Sequence, residues 1–279
     1  MQHLNIDLHT HSNFSDGSLT PAELVTRAAA AGVEVLALTD HDTVAGLDEA
    51  ARSAREVRVG LVPGVEISAA WRSQAIHVLG LWIDPAACEL RQRLEDQAML
   101  RRVRMRNLCT RLTALGLPGE TLLSAVMANP GVPTRAHLAN AMVASGLVRD
   151  TEEAFRKYLA RGKAAHLAAL WPALSVVVGW ILAAGGIAAL AHPMRYTLSA
   201  GARRQLLSDF VAAGGTALEV VTGNNAAQQI DTCSTLALQF GLLGSRGSDF
   251  HRPQLSWNPL GRLAKLPALV TPVWRSFGL

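Results

Sequence analysis

The chain has 279 residues, of which 49% are hydrophobic, and its formal net charge at pH 7 is +4. This length fits one large α/β domain, or a barrel with a smaller lobe, and the apolar content is sufficient for a sizeable core. The cysteines Cys88, Cys109 and Cys233 are widely spaced, which argues against a disulfide framework and a thiolate metal site and favours the reducing cytoplasm.

Residues 1–82 alternate predicted strands and helices. Thr20 and Pro21 are typical of an N-cap and a first helical residue, Gly32 is expected to end that helix, and Thr43 to cap the next one. Strands are predicted at residues 4–9, 35–39, 61–67 and 76–82, and helices at residues 21–31 and 44–56.

The following block, residues 87–167, contains only helical patterns. Its helices are predicted at residues 88–115, 120–128, 135–145 and 151–160. The alternation then returns, with helices at residues 173–184, 200–213 and 225–240 and strands at residues 187–191, 217–221 and 242–245. Two βα-rich portions that flank a helical block predict an α/β body formed by residues 1–86 and 168–279, with an all-helical insertion.

One uncharged stretch, residues 167–191, is long enough to span a bilayer. Pro172 and the pair Gly185-Gly186 interrupt it, and the pieces fit a helix followed by a buried strand that ends at His192. No signal peptide pattern is visible at the N-terminus. We therefore expect no membrane segment.

Side chains that ligate metals are concentrated in short blocks, several of them directly after predicted strands. Successive strand residues point to opposite faces, so His9 and His11 point the same way and can bind one ion, with Asp7 behind them as an orienting partner. Asp249 and His251 repeat this spacing. The other blocks contribute Asp16, Asp40, His41, Asp42, Glu66, His77 and His192.

Each of these blocks alone has an ordinary structural explanation. His77 fits a buried core histidine, His192 a strand end, and Asp42 a turn before a helix. Their joint occurrence at strand ends predicts a multinuclear metal hydrolase.

The same blocks resemble the PHP (polymerase and histidinol phosphatase) family of metal-dependent phosphoesterases, in order along the whole chain. The resemblance implies a distorted (β/α)7 barrel with up to three divalent ions. The motifs that carry it are Asp7-Leu8-His9-Thr10-His11, Thr39-Asp40-His41-Asp42, Gly64-Val65-Glu66, Ala191-His192-Pro193 and Ser248-Asp249-Phe250-His251.

The resemblance also implies which residues hold each ion. The first set is His9, His11, Glu66 and Asp249; the second is Glu66 with His77 and His192; the third is Asp16, His41 and His251. Many family members have histidine where this chain has Asp16. The added carboxylate favours Mn²⁺, or iron, over zinc.

Substrate contacts are expected from the helical insertion and the barrel mouth. Residues 132–137 resemble a Ser/Thr-Arg-Pro-His stretch of a PHP subgroup, so Arg135 and His137 are candidates to bind phosphate. A plain helix start capped by Thr134 is the alternative. Further candidates at the mouth are Arg195, Asn224 and Asn225.

Two roles remain open at this stage. Asp42, His137 and metal-bound water are all candidates for the general acid. The arginines of residues 91–111 are expected on a solvated helix face, because they lack interleaved aromatic residues for base stacking.

Within the family, the resemblance implies removal of the 3′-phosphate from a small nucleotide such as adenosine 3′,5′-bisphosphate, leaving the 5′-monophosphate. A 5′-to-3′ exoribonuclease acting on short 5′-phosphorylated RNA is one alternative, and a histidinol-phosphate phosphatase is another. A non-catalytic, metal-bound accessory module is the alternative of a different class. The oligomeric state is left open.

Overall fold

Seven strands follow one another in chain order around one sheet. The structure, a computed structural model, describes residues 4–168, 170–223, 225–254 and 260–279. The strands are β1 (Ile6–Asp7), β2 (Val35–Leu38), β3 (Gly60–Trp71), β4 (Gln74–Leu81), β5 (Ile187–Leu190), β6 (Ala217–Thr222) and β7 (Leu243–Gly247).

The sheet curves into a nearly closed barrel. Leu8 N–H donates to the Arg246 carbonyl at 3.0 Å, and Asp249 N–H donates to the His9 carbonyl at 2.8 Å, so the first and last strands meet. The pairs β1–β2 and β2–β3 are parallel, and so are β5–β6 and β6–β7. Only β4 is reversed, in a hairpin with β3 that places His77 opposite Ser68. The predicted distorted seven-stranded α/β barrel is confirmed.

Helices surround the barrel and form the insertion. They are α1 (Pro21–Ala30), α2 (Leu47–Val57), α3 (Cys88–Ala114), α4 (Gly119–Met127), α5 (Arg135–Ala144), α6 (Thr151–Ala154), α7 (Leu174–Ala183), α8 (Ala200–Ala212) and α9 (Ala227–Phe240). A π-helix (Phe155–Leu159) continues α6, and a 3₁₀-helix (Val273–Phe277) lies near the C-terminus.

The long helix α3 connects two apolar cores. Leu90 and Leu94 at its start belong to the barrel core, which includes Ile181 and Phe210. Near its end, Met105, Leu108 and Leu112 pack in a separate cluster with α4 and α5. The helical block therefore has an apolar core of its own, as burial of one face of each helix requires.

Local sequence signals account for some boundaries and not for others. Thr20 is the N-cap of α1, as predicted, and it forms a capping box with Glu23. The prediction that Thr43 caps α2 is wrong: the helix begins at Leu47 after Gly46, while the Thr43 hydroxyl accepts from Ala45 N–H. Across the described residues, none of the helices combines the length and the apolar character needed to cross a bilayer.

Candidate metal centre

Three overlapping groups of histidine and carboxylate side chains lie at one rim of the barrel. The first consists of His9 and His11, which follow β1, Glu66 on β3 and Asp249 after β7, all buried. Their ligand atoms lie within 4.8 Å of one another. His9 Nε2 is 3.4 Å from Glu66 Oε2 and 3.3 Å from Asp249 Oδ1. One ion can contact all four.

Glu66 belongs to the first group and also to the second, which consists of His41, Glu66 and His77. Its Oε2 lies 3.0 Å from His41 Nδ1, and its Oε1 lies 3.0 Å from His77 Nδ1 and 2.8 Å from His192 Nε2. The reversal of β4 brings His77 to the same rim as residues that follow forward strands. A carboxylate with histidines at both oxygens has the arrangement of a bridging ligand.

The third group gathers around Asp16. His251 Nε2 lies 3.2 Å from Asp16 Oδ1 and His41 Nε2 lies 3.7 Å from it. His11 belongs to this group as well as to the first, and His41 belongs to this group as well as to the second. The predicted ligands therefore lie together, although which of them bind each ion stays a prediction.

Two buried oxygen atoms indicate that a cation fits here. Asp16 Oδ1 and Glu66 Oε2 are buried, and although nitrogens of His251 and His41 lie close to them, no hydrogen bond of good geometry reaches either oxygen from the described residues. Burial of a carboxylate oxygen without a donor is costly unless a cation contacts it. The donor set of imidazoles and carboxylates suits a divalent transition metal.

The electrostatics of these groups are strongly coupled. Burial opposes the charge on Asp16, but His41 and His251 outweigh it and hold the pKa of that carboxyl well below its usual value. Burial likewise opposes protonation of His251, but the carboxylates of Asp16 and Asp249 raise its pKa to about 9. Burial and the nearby His251 lower the pKa of His11 to about 3. The negative charge in the site attracts protons or metal ions.

Glu219 is a functional residue that the sequence analysis missed. His9 Nδ1 donates to its Oε1 at 3.0 Å, and the His192 N–H donates to its Oε2 at 2.6 Å. Asp7 was expected in this role, but its carboxylate accepts from the backbone of Ser248 at 2.8 Å. The available signal was a charged residue inside the otherwise apolar core of β6. Partners of this kind fix the orientation of metal-binding histidines.

The predicted ligands His192 and Asp249 have positive φ angles, 28° and 54°. Non-glycine residues rarely adopt this region, and they do so where the surrounding contacts compensate for the strain. For His192, the hydrogen bond from its N–H to Glu219 is such a contact.

A cavity of about 560 Å³ opens from the metal centre towards the insertion. Asp16, His41 and His77 line its base. Its other walls are rich in arginine and aromatic side chains: Arg72, Arg101, Arg104, Arg135, Phe155, Arg161 and Trp171. The expectation that residues 91–111 present their arginines to solvent is wrong for Arg101, which is buried, and for Arg104, which faces this cavity.

Some of the predicted substrate contacts line this cavity and others do not. Arg135 lines it, with its guanidinium 5.7 Å from the Phe155 ring centre. Arg195 instead pairs with the metal-site carboxylate of Asp249. The described lining of the cavity includes neither Arg195 nor Asn225, and Asn225 N–H donates to the Thr222 carbonyl. Asn224 lies outside the described residues.

The two residues that are candidates for the general acid both have other partners. Asp42 is buried and pairs with Arg101. His137 Nδ1 accepts from the Thr134 N–H at 3.1 Å, within a capping box at the start of α5. A proton-donating role for either residue stays a prediction.

A seven-stranded barrel with overlapping groups of histidine and carboxylate ligands at one rim defines a multinuclear metal-dependent hydrolase. The profile of the PHP domain matches residues 7–160. The chain belongs to the PHP family, and it is a metal-dependent phosphoesterase.

Relatives in sequence cover nearly the whole chain. A 3′,5′-nucleoside bisphosphate phosphatase from Chromobacterium violaceum is 40% identical over 274 residues, 97% of this chain and 95% of the relative. A 5′-3′ exoribonuclease from Haemophilus influenzae is 42% identical over 271 residues, 97% of this chain and 98% of the relative.

A solved structure has the same fold throughout. The structure of an amidohydrolase from Chromobacterium violaceum, with bound sulfate and no metal, matches with a TM-score of 0.92 at 40% identity. The match covers 98% of this chain and 96% of that chain.

Proposed function

We propose that this protein removes the 3′-phosphate from nucleoside 3′,5′-bisphosphates, such as adenosine 3′,5′-bisphosphate, and releases the 5′-monophosphate. The observation that carries the proposal is the arginine-lined cavity that is continuous with the metal centre. A single phosphate at the metal centre would leave Arg104 and Arg135 without an anionic partner. A substrate with a second phosphate provides one.

Apart from Arg101, the arginines of the cavity have no carboxylate partner among the described residues. Asp42 pairs with Arg101, but neither Arg104 nor Arg135 forms an ion pair within the described part of the chain. Burial, together with the charges of Arg135 and Arg101, lowers the pKa of Arg104 to about 10. Such a cluster of like charges is stabilised by an anion, and guanidinium groups suit phosphate.

The walls also offer surfaces for the nucleoside. Trp171 and Phe155 also line the cavity, and aromatic rings can stack on a base or a ribose. The ligand groups would hold the ions. When bound, divalent ions neutralise a phosphate ester and activate water at neutral pH. The chain's own contribution is to orient the 3′-ester at the rim by holding the 5′-phosphate.

Mn²⁺ is part of this proposal. Asp16 adds a hard carboxylate oxygen to the third ligand group, and such oxygens favour Mn²⁺ or iron over zinc. We propose two or three ions, with Glu66 as the bridge. A cytoplasmic location also belongs to the proposal, because Cys88, Cys109 and Cys233 are free thiols.

A 5′-to-3′ exoribonuclease acting on short RNA is the second candidate. It is favoured by the 42% identity to a relative with that name and by the continuity of the cavity beyond the metal centre. Both substrates combine a 5′-phosphate with a 3′-phosphoester, so one cavity can accept either. The two candidates differ in whether the bond cleaved is a monoester or a diester.

The test measures product release by metal-depleted protein supplied with Mn²⁺. The substrates are adenosine 3′,5′-bisphosphate, adenosine 3′-monophosphate, a short 5′-phosphorylated RNA and histidinol phosphate. Mn²⁺-dependent conversion of the bisphosphate to adenosine 5′-monophosphate, faster than hydrolysis of the 3′-monophosphate, supports the proposal. Turnover of the RNA with no hydrolysis of the bisphosphate would replace it with the nuclease. The Glu66→Gln variant controls for contaminating phosphatases.

A further inference from the structure

The insertion packs directly on the loop that carries Asp16. We call residues 12–17 the Asp16 loop and residues 131–137 the docking segment. Val132 N–H donates to the Phe14 carbonyl at 2.9 Å. A Cβ atom on Gly131 would lie 2.5 Å from the Asn13 carbonyl oxygen, which is closer than real Cβ contacts. The two backbones therefore touch at a position where only glycine fits.

His137 extends this contact to the residue next to Asp16. Its Nδ1 accepts from the Thr134 N–H at 3.1 Å, which leaves the ring proton on Nε2. Burial lowers the pKa of His137, while the Asp16 carboxylate and the Ser15 backbone act in the opposite direction, which places both near the ring. The imidazole therefore lies between the start of α5 and the Asp16 loop.

The barrel holds the opposite side of the same loop. The Asp40 carboxylate accepts from Ser12 N–H at 2.7 Å, from Ser12 Oγ at 2.6 Å and from Ser15 Oγ at 2.6 Å. The Asp16 loop is consequently fixed between a barrel carboxylate and the docking segment. Removal of either support would free Asp16 from its place beside His41 and His251.

We propose that His137 and Gly131 are positioning residues for Asp16, so that the helical insertion completes the third metal-ligand group. The inference rests on the metal centre but not on which phosphate ester is hydrolysed. It gives the insertion a role besides substrate binding. Because Thr134 and Arg135 of the docking segment line the cavity, a ligand held there also contacts the segment that supports Asp16.

The test is a Mn²⁺ titration of the full-length, metal-depleted protein by calorimetry, with metal content checked after desalting. The variants are His137→Ala, Gly131→Ala and Asp16→Asn, together with the double variant of Asp16→Asn and His137→Ala. Asp16→Asn should weaken one Mn²⁺-binding step. We expect His137→Ala and Gly131→Ala each to weaken that same step by about 10–100-fold. In the Asp16→Asn background, His137→Ala should have no further effect, because its influence acts through Asp16.

Matched controls separate positioning from general damage. Gly201→Ala adds the same methyl group where no atom lies within 4 Å, and should bind Mn²⁺ as the wild type does. His137→Gln, which keeps a hydrogen-bonding side chain next to the Asp16 loop, should regain part of the affinity. The proposal is overturned if Mn²⁺ binding is unchanged in His137→Ala and Gly131→Ala, or if the effects of Asp16→Asn and His137→Ala add. It is equally overturned if all ions are weakened alike and the metal-free protein unfolds at a lower temperature.

Discussion

The Oδ2 atom of Asp42 lies 2.6 Å from Nε of Arg101, so a buried ion pair joins the barrel rim to helix α3. Arg101 Nη2 also donates to Ser68 Oγ at 2.7 Å, and Ser68 N–H donates to Asp42 Oδ1 at 2.7 Å. The residue next to the candidate ligand His41 therefore fixes the position of an arginine that faces the cavity.

The Asp42→Asn variant distinguishes this positioning role from that of a general acid. Loss of one partner leaves the buried guanidinium uncompensated, so the free energy of unfolding should fall by about 3–5 kcal/mol, measured by denaturant titration. Adding Arg101→Gln should recover part of that loss. If Asp42→Asn instead keeps its stability and its kcat no longer depends on the protonation of an acidic group, Asp42 is the proton donor.

The Glu219→Gln variant should weaken the metal centre without removing a ligand. The glutamine amide has no charge and only one acceptor oxygen, so it cannot accept from both the His9 ring and the His192 N–H. The two histidines are therefore held less firmly. We expect Mn²⁺ affinity to fall by about 10–100-fold, measured by calorimetry on metal-depleted protein. Asp7→Asn is the comparison: its carboxylate contacts backbone N–H groups, and an equal loss there would deny Glu219 a special role.

The Arg104→Gln variant tests the anion subsite of the cavity. A hydrogen bond to a charged group contributes about 1.5–3 kcal/mol, so KM for adenosine 3′,5′-bisphosphate should rise by about 10–100-fold. Hydrolysis of adenosine 3′-monophosphate, which has no 5′-phosphate, should change little. Arg106→Gln, on the exposed side of the same helix, is the control. Equal losses on both substrates would argue against a 5′-phosphate at Arg104.

Mn²⁺ affinity should increase with pH. In the metal-free protein, the carboxylates of Asp16 and Asp249 overcome the effect of burial and raise the pKa of His251 to about 9, so this ring is protonated at pH 7. A metal ion needs the neutral imidazole, and binding therefore releases that proton. The affinity should rise about tenfold per pH unit for each proton released, up to the pKa, and level off above it. Calorimetry in buffers of different ionisation enthalpy would count the protons, and an affinity independent of pH between 6 and 8.5 would contradict this assignment.

The sequence predicted the barrel and the ligand cluster because both leave local patterns. A buried strand is a run of apolar residues. The candidate ligands, such as His9 and Asp249, directly follow these runs and are of residue types that bind metals. Glu219 leaves only the weaker signal of a charged residue within an apolar strand, since its partner His9 is distant in sequence. Arg104 was missed for a related reason: its helix also carries exposed arginines, and only the packing of α3 against the barrel shows which of them face inwards.

Barrel closure has a consequence for the order of events during biosynthesis. His9 and Asp249 are joined by a backbone hydrogen bond of 2.8 Å, although they lie at opposite ends of the barrel's sequence. A nascent chain that has not yet emerged past β7 holds the histidine pair without its aspartate partner. The first ligand group is therefore assembled only after synthesis of the last strand and of Asp249, which follows it.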